Sequence, residues 1–296
     1  TSSSITVLCL ANQKLHFDLF LTFSMRNYRL TSVWDIPIQI NISLLVALPV
    51  LAWLIGSGEQ IDVYTRIING FPIVALDIAT LQAGITPWII GSAAAIGLFV
   101  SVTLHELGHA WAARRYGITV ESITLWLLGG LASLETMPRK WYQELWVAIA
   151  GPAVSVLVAV ACYGIVLSLP ASVPAVVFVF GWLVVTNITL TVFNLLPAFP
   201  MDGGRVLRAV LARNQSYAAA TQTAARIGSL FAIGFAILGV LSFSPMLLLL
   251  AVFVYGAANS ESRVVAMETL LAGVTAEDVM TRDVDPVAAA TTISDL

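Results

Sequence analysis

His105-Glu106-Leu107-Gly108-His109 lies inside an almost uninterrupted apolar stretch that runs from Trp88 to Trp111. A helix of about 20 such residues crosses a bilayer core of about 30 Å. On a helix, residues four apart point the same way, offset by about 40° of arc. Two imidazoles so placed can grip one zinc ion from neighbouring turns, leaving the glutamate between them free to take a proton from water. In hydrocarbon each ionisable group at mid-helix costs roughly 2.5–3.5 kcal/mol on insertion scales. Three within a turn and a half therefore require a compensating partner, and a metal ion supplies one. With 3 histidines in 296 residues, chance produces this pattern in about one such chain per thousand.

The rest of the chain agrees with a membrane setting. Hydrophobic residues make up 58% of it and charged residues only 10%, against about 25% charge in a soluble domain. A net charge of −3 and the lack of a basic cluster argue against a nucleic-acid binder. Cys9 and Cys162 lie far apart and form no CxxC, so neither a disulfide framework nor a thiolate zinc site is expected.

Apolar runs near 36–56, 88–113, 145–169, 175–196, 217–241 and 245–262 predict an all-α polytopic membrane protein with about six transmembrane helices. Ser242-Phe243-Ser244-Pro245 divides the last pair, and the segment from Pro170 to Pro174 divides the pair before it. The segment 57–87, with Gly58, Gly70 and Pro72, reads as a loop lying partly in the membrane. Residues 1–30 read as an N-terminal tail whose His16 has no partner nearby, 31–272 as the membrane domain and 273–296 as an appendage. Every basic residue except Arg66 falls where this topology puts one side of the membrane. The positive-inside rule then makes this a multi-pass cell-membrane protein with both termini cytoplasmic. Measured from Arg114 at that surface, His109 and His105 lie about 8 and 14 Å deep.

A catalytic zinc ion usually has three protein ligands and one open position. With His16 out of reach, the third is expected to be a carboxylate, and Asp202 is the candidate. It follows Asn194-Leu195-Leu196-Pro197-Ala198-Phe199-Pro200-Met201 and precedes Gly203-Gly204-Arg205. The prolines interrupt the fourth span and the glycines let the backbone turn sharply. The plainer alternative is that Asp202 merely caps a helix beginning at Gly203.

Here the chain resembles the site-2 protease family of intramembrane zinc metalloproteases. The resemblance rests on His105-Glu106-Leu107-Gly108-His109, on Asn194, Pro197, Pro200 and Asp202-Gly203-Gly204 at their spacing, and on Ala150-Gly151-Pro152 opening the third span. It covers roughly 30–270. It implies one Zn2+ per chain held by His105, His109 and Asp202, with Glu106 as general base and acid. The implied reaction is hydrolysis of a peptide bond within, or at the edge of, the transmembrane helix of a single-span membrane protein, in contact with membrane lipid.

Relatives often have asparagine where this chain has Ser155, so Ser155 and Asn194 are the candidates for substrate or oxyanion support; for Asn194 the equal alternative is that it only satisfies carbonyls freed by Pro197. Around Gly129 and Gly130 the resemblance suggests a small membrane-associated β element that pairs with unwound substrate; a plain Gly-Gly loop is the alternative. After Gly273 the chain resembles the opening of a cystathionine-β-synthase-type (CBS) regulatory domain. It is too short there to build a nucleotide site, so no nucleotide binding is expected.

Two rivals remain at this point. A CAAX-type membrane zinc protease would take its third ligand from a downstream glutamate such as Glu261 or Glu268. A non-enzymatic zinc-binding transporter would not need Glu106.

Overall fold

The computed structural model describes residues 27–271 apart from 73, 127–128, 135–139 and 171. His16 and the segment 273–296 lie outside the described residues. Two strands come first, β1 (Asn27–Val33) and β2 (Ile36–Asn41), followed by α1 (Ile42–Ile55), α2 (Gly58–Ile68), the short α3 (Ile78–Leu81) and α4 (Thr86–Arg115). Next come β3 (Val120–Trp126) and β4 (Gly129–Leu134), then α5 (Trp141–Ser168), α6 (Pro174–Asn194), α7 (Asp202–Leu211), α8 (Tyr217–Leu241) and α9 (Pro245–Leu271).

Five helices, α4, α5, α6, α8 and α9, are long and apolar enough to cross a membrane. Among the described residues, a sixth crossing is counted only if α1 and α2, bent by 68° at their junction, are taken as one span. At about 1.5 Å per residue, the 14 residues of α1 reach only about 21 Å, short of a full core. The expected first run, 36–56, is therefore divided between strand β2 and this short helix.

The expected loop at 57–87 is corrected by α2 and α3. Ile61, Thr65 and Ile68 are buried at helical spacing, while Asp62 and Arg66 pair on the outer face at 3.1 Å. Asp77 caps α3 by accepting from the Thr80 amide at 2.9 Å. The Thr80 hydroxyl also donates to that carboxylate at 2.8 Å, and these two hydrogen bonds, side chain first, hold the Asp77 carboxyl below its ordinary pKa. The expected breaks do occur: α5 ends at Ser168 and α6 starts at Pro174, and α8 ends at Leu241 with α9 starting at Pro245.

The β element is a four-stranded sheet in the order β1-β2-β3-β4. β1–β2 and β3–β4 are antiparallel, whereas β2–β3 are parallel. A parallel pair needs a crossover, and here the crossover is the whole unit from α1 to α4. The sheet is thereby tied to the helix that carries both histidines. Ile36, Ile38, Val120, Ile123 and Leu125 on its inner face pack with Val102, Ala110 and Ala113 of α4. Arg114, at the end of α4, donates to the carbonyl of Trp34 in the β1–β2 turn.

A second apolar core joins α2, α4, α5 and α6 through Ile61, Ile90, Cys162, Phe178 and Trp182, so Cys162 is the buried thiol expected. Outward-facing Leu157, Val160, Leu230, Ile233 and Ile237 remain exposed. In water so large an apolar surface would be a liability, and in lipid it is the ordinary outer face.

Candidate metal centre

α4 brings His105 and His109 to one face, as their spacing demands, and both are buried at 4% and 6% exposure. Their Nε2 atoms are 3.1 Å apart. Asp202, 8% exposed, places Oδ2 at 3.2 Å from each of those nitrogens. In a tetrahedral zinc site with bonds of about 2.0–2.1 Å, neighbouring ligand atoms sit about 3.3 Å apart. The three measured separations match one face of such a tetrahedron, so these residues fit zinc.

The other ring nitrogens are engaged. His109 Nδ1 contacts the Val147 carbonyl at 2.7 Å and His105 Nδ1 contacts the Ser155 hydroxyl at 2.9 Å. A carbonyl only accepts, so the His109 proton is on Nδ1 and the Nε2 lone pair faces the metal position. Ser155, fully buried, therefore stands behind the His105 ring, at the nitrogen opposite the ligand atom. Its hydroxyl thus meets the imidazole on the side away from the Asp202 carboxylate. Asn194, the other candidate, is the last residue of α6 and only partly buried.

Close packing explains the glycines. A Cβ at Gly151 on α5 would lie 2.2 Å from His109 Nε2 and 2.8 Å from His105 Nε2. One at Gly108 would lie 2.8 Å from the Ala150 carbonyl oxygen. The Ala-Gly-Pro stretch thus lets α5 slide in beside the imidazoles. Gly203 plays the same part for α7, where a Cβ would meet the Leu196 carbonyl oxygen at 2.3 Å. Asp202 is the first residue of α7, whose N-cap is Met201. Its carboxylate is turned to the imidazoles, which removes the reading of Asp202 as a simple cap.

Glu106 lies on α4 between the two histidines and is partly exposed. A Cβ at Gly130 of β4 would lie 2.4 Å from its Cγ and 2.9 Å from its Oε1. The Gly129-Gly130 pair is thus in a strand and not in a plain loop, and glycine at 130 lets that strand pass directly over the glutamate. Among the described residues β4 is one of the two edge strands of the sheet, β1 being the other.

Glu261, the third ligand of the rival arrangement, instead accepts from Arg208 Nη1 at 2.5 Å. The side chain of Glu268 lies outside the described residues. One buried polar contact next to the site carried no signal in the sequence. Asn187 Nδ2 donates to Ser101 Oγ at 3.1 Å, one turn of α4 before His105. A serine and an asparagine 86 residues apart in apolar runs have no spacing that links them.

Comparison with known proteins agrees with this geometry. The family model described as peptidase family M50 matches residues 93–174 and 170–235. A protein named as a zinc metalloprotease from Methanocaldococcus jannaschii is 41% identical over 184 residues, covering 62% of this chain and 53% of that protein. The solved structure of the site-2 protease from Methanocaldococcus jannaschii superposes with a TM-score of 0.53 at 33% identity, over 80% of this chain and 96% of that one. The chain spans from 53% to 65% of the length of the curated relatives it matches.

Proposed function

The chain belongs to the site-2 protease family, peptidase family M50, and on that premise we propose that it hydrolyses a peptide bond in the transmembrane helix of a single-span membrane protein. The observation that carries this reading is the trio His105 Nε2, His109 Nε2 and Asp202 Oδ2, mutually 3.1–3.2 Å apart, with Glu106 beside it. Bound by that trio, zinc would supply Lewis acidity, lowering the pKa of water and polarising the scissile carbonyl.

The chain's own residues do the rest. Glu106 accepts the proton of the attacking water and passes it to the leaving nitrogen. The edge of β4 offers free amide and carbonyl groups to an unwound substrate segment, which would join it as an added strand. Since Gly130 brings that edge against Glu106, a peptide paired there has its backbone next to the acid–base group. A helical substrate has its carbonyls occupied, so this pairing also compensates for the hydrogen bonds lost on unwinding. Such cleavage would serve regulated proteolysis of membrane-tethered substrates, and the distribution of basic residues supports cytoplasmic termini.

The test is cleavage of a model transmembrane peptide by the detergent-solubilised protein, with zinc content measured in parallel. Glu106→Gln should abolish cleavage and keep zinc near one per chain. Asp202→Ala should lose both. Cleavage surviving in Glu106→Gln would overturn the acid–base role of Glu106, whereas a wild type that holds zinc and cleaves nothing would leave a zinc-binding transporter.

A further inference from the structure

Among the described residues, the largest fully buried side chain is that of Arg208, at 1% exposure. It lies on α7, six residues beyond Asp202. A guanidinium cannot discard its charge, so its burial depends on its partners. Nε and Nη2 reach Glu144 Oε1 on α5 at 2.7 and 2.5 Å, and Nη1 reaches Glu261 Oε1 on α9 at 2.5 Å. The rings of Phe199 and Tyr217 stand 5.1 and 4.8 Å from its Cζ.

Stability is a weak reason for such a cluster, because apolar residues in place of a buried ion triad are often as stable or more so. A fixed spatial relation between helices is a better one. α7 has only 10 residues and begins with Asp202. α5 carries the groups that hold the imidazoles, namely the Val147 carbonyl, three residues beyond Glu144, and the Ser155 hydroxyl. The Glu144–Arg208 pair therefore references the metal carboxylate and both imidazoles to one shared helix. The bond to Glu261 adds α9, which has no residue in the metal trio.

We propose that Arg208 is a positioning residue for the metal centre: by holding α7 against α5 it sets Asp202 opposite His105 and His109, and through Glu261 it makes that setting depend on α9. The inference rests on the reading of the trio as a zinc site.

The test uses the purified full chain in detergent, with zinc titrated against a chelating competitor and amide hydrogen exchange of α9 followed with and without zinc. The double variant Glu144→Leu/Arg208→Met removes both members of the buried pair and leaves no charge stranded between them. It should fold, yet bind zinc at least about tenfold more weakly, the scale seen when groups behind metal ligands are lost. Arg208→Lys alone should retain more zinc affinity than Arg208→Met. Glu261→Gln acts on a side chain that is 31% exposed, and it decides the matter if the double variant does not fold. Because coupling is reciprocal, zinc should slow exchange in α9 of the wild type and lose that effect in Glu261→Gln. Folded variants that bind zinc as the wild type does, with α9 exchange indifferent to zinc, would overturn the proposal. A wild type that binds no zinc would instead overturn the metal-centre reading, and this inference with it.

Discussion

The backbone carbonyl of Val147 accepts a 2.7 Å hydrogen bond from Nδ1 of His109. Val147 and Gly151 are one turn apart on α5, so the imidazole lies along that turn with one nitrogen on the carbonyl and the other above the glycine. The contact selects the tautomer and aims the ring in one step. It also explains why α5, which supplies no ligand, is as much part of the site as α4.

Gly151→Ala should eliminate zinc binding without unfolding α5. The added methyl would lie 2.2 Å from His109 Nε2, closer than any carbon can approach. Alanine is the better helix former by about 1 kcal/mol, so loss of the helix is not the cause. Zinc content near zero with an unchanged helical circular dichroism signal is the expected result.

Ser155→Ala should weaken zinc affinity by about 10–100-fold, since it frees His105 Nδ1 from its partner. Competition with a chelator measures it. If Ser155 acted on substrate instead, zinc affinity would stay unchanged and KM would rise.

Gly130→Val should have the opposite signature. A side chain there would collide with Glu106 Cγ, 2.4 Å from the Cβ position, and push the strand edge away. Cleavage of a transmembrane peptide should fall by at least about tenfold, a loss of about 1.4 kcal/mol in transition-state stabilisation, with zinc stoichiometry retained.

Zinc withdrawal should lower the unfolding temperature of the wild type. A ligand present at about 100 times its Kd contributes about 2.7 kcal/mol to the folded state. Differential scanning with and without chelator should show the shift in the wild type and none in Asp202→Ala.

Much of this was legible from local pattern. The placement of His105 and His109 on one helix face follows from a spacing of four, and the membrane class follows from long apolar runs, because both are properties of a single segment. Asp202 was accessible by chemistry, as the carboxylate that a two-histidine site lacks. The helical nature of 58–68 was harder to see. Its buried residues Ile61, Thr65 and Ile68 alternate with charge, and the flanking glycines suggest a turn.

What the amino-acid order determined alone was which segments are apolar enough for lipid and which two imidazoles share a face, since neither depends on a distant partner. Tertiary structure decided the rest. It set Ser155 behind a ligand, gave Glu261 to Arg208 in place of a metal, and laid Gly130 over Glu106. Each of those outcomes depends on how closely two elements far apart in the chain can approach. That distance is governed by small residues at helix crossings and by the pairing of buried charges, and no one-dimensional spacing encodes it.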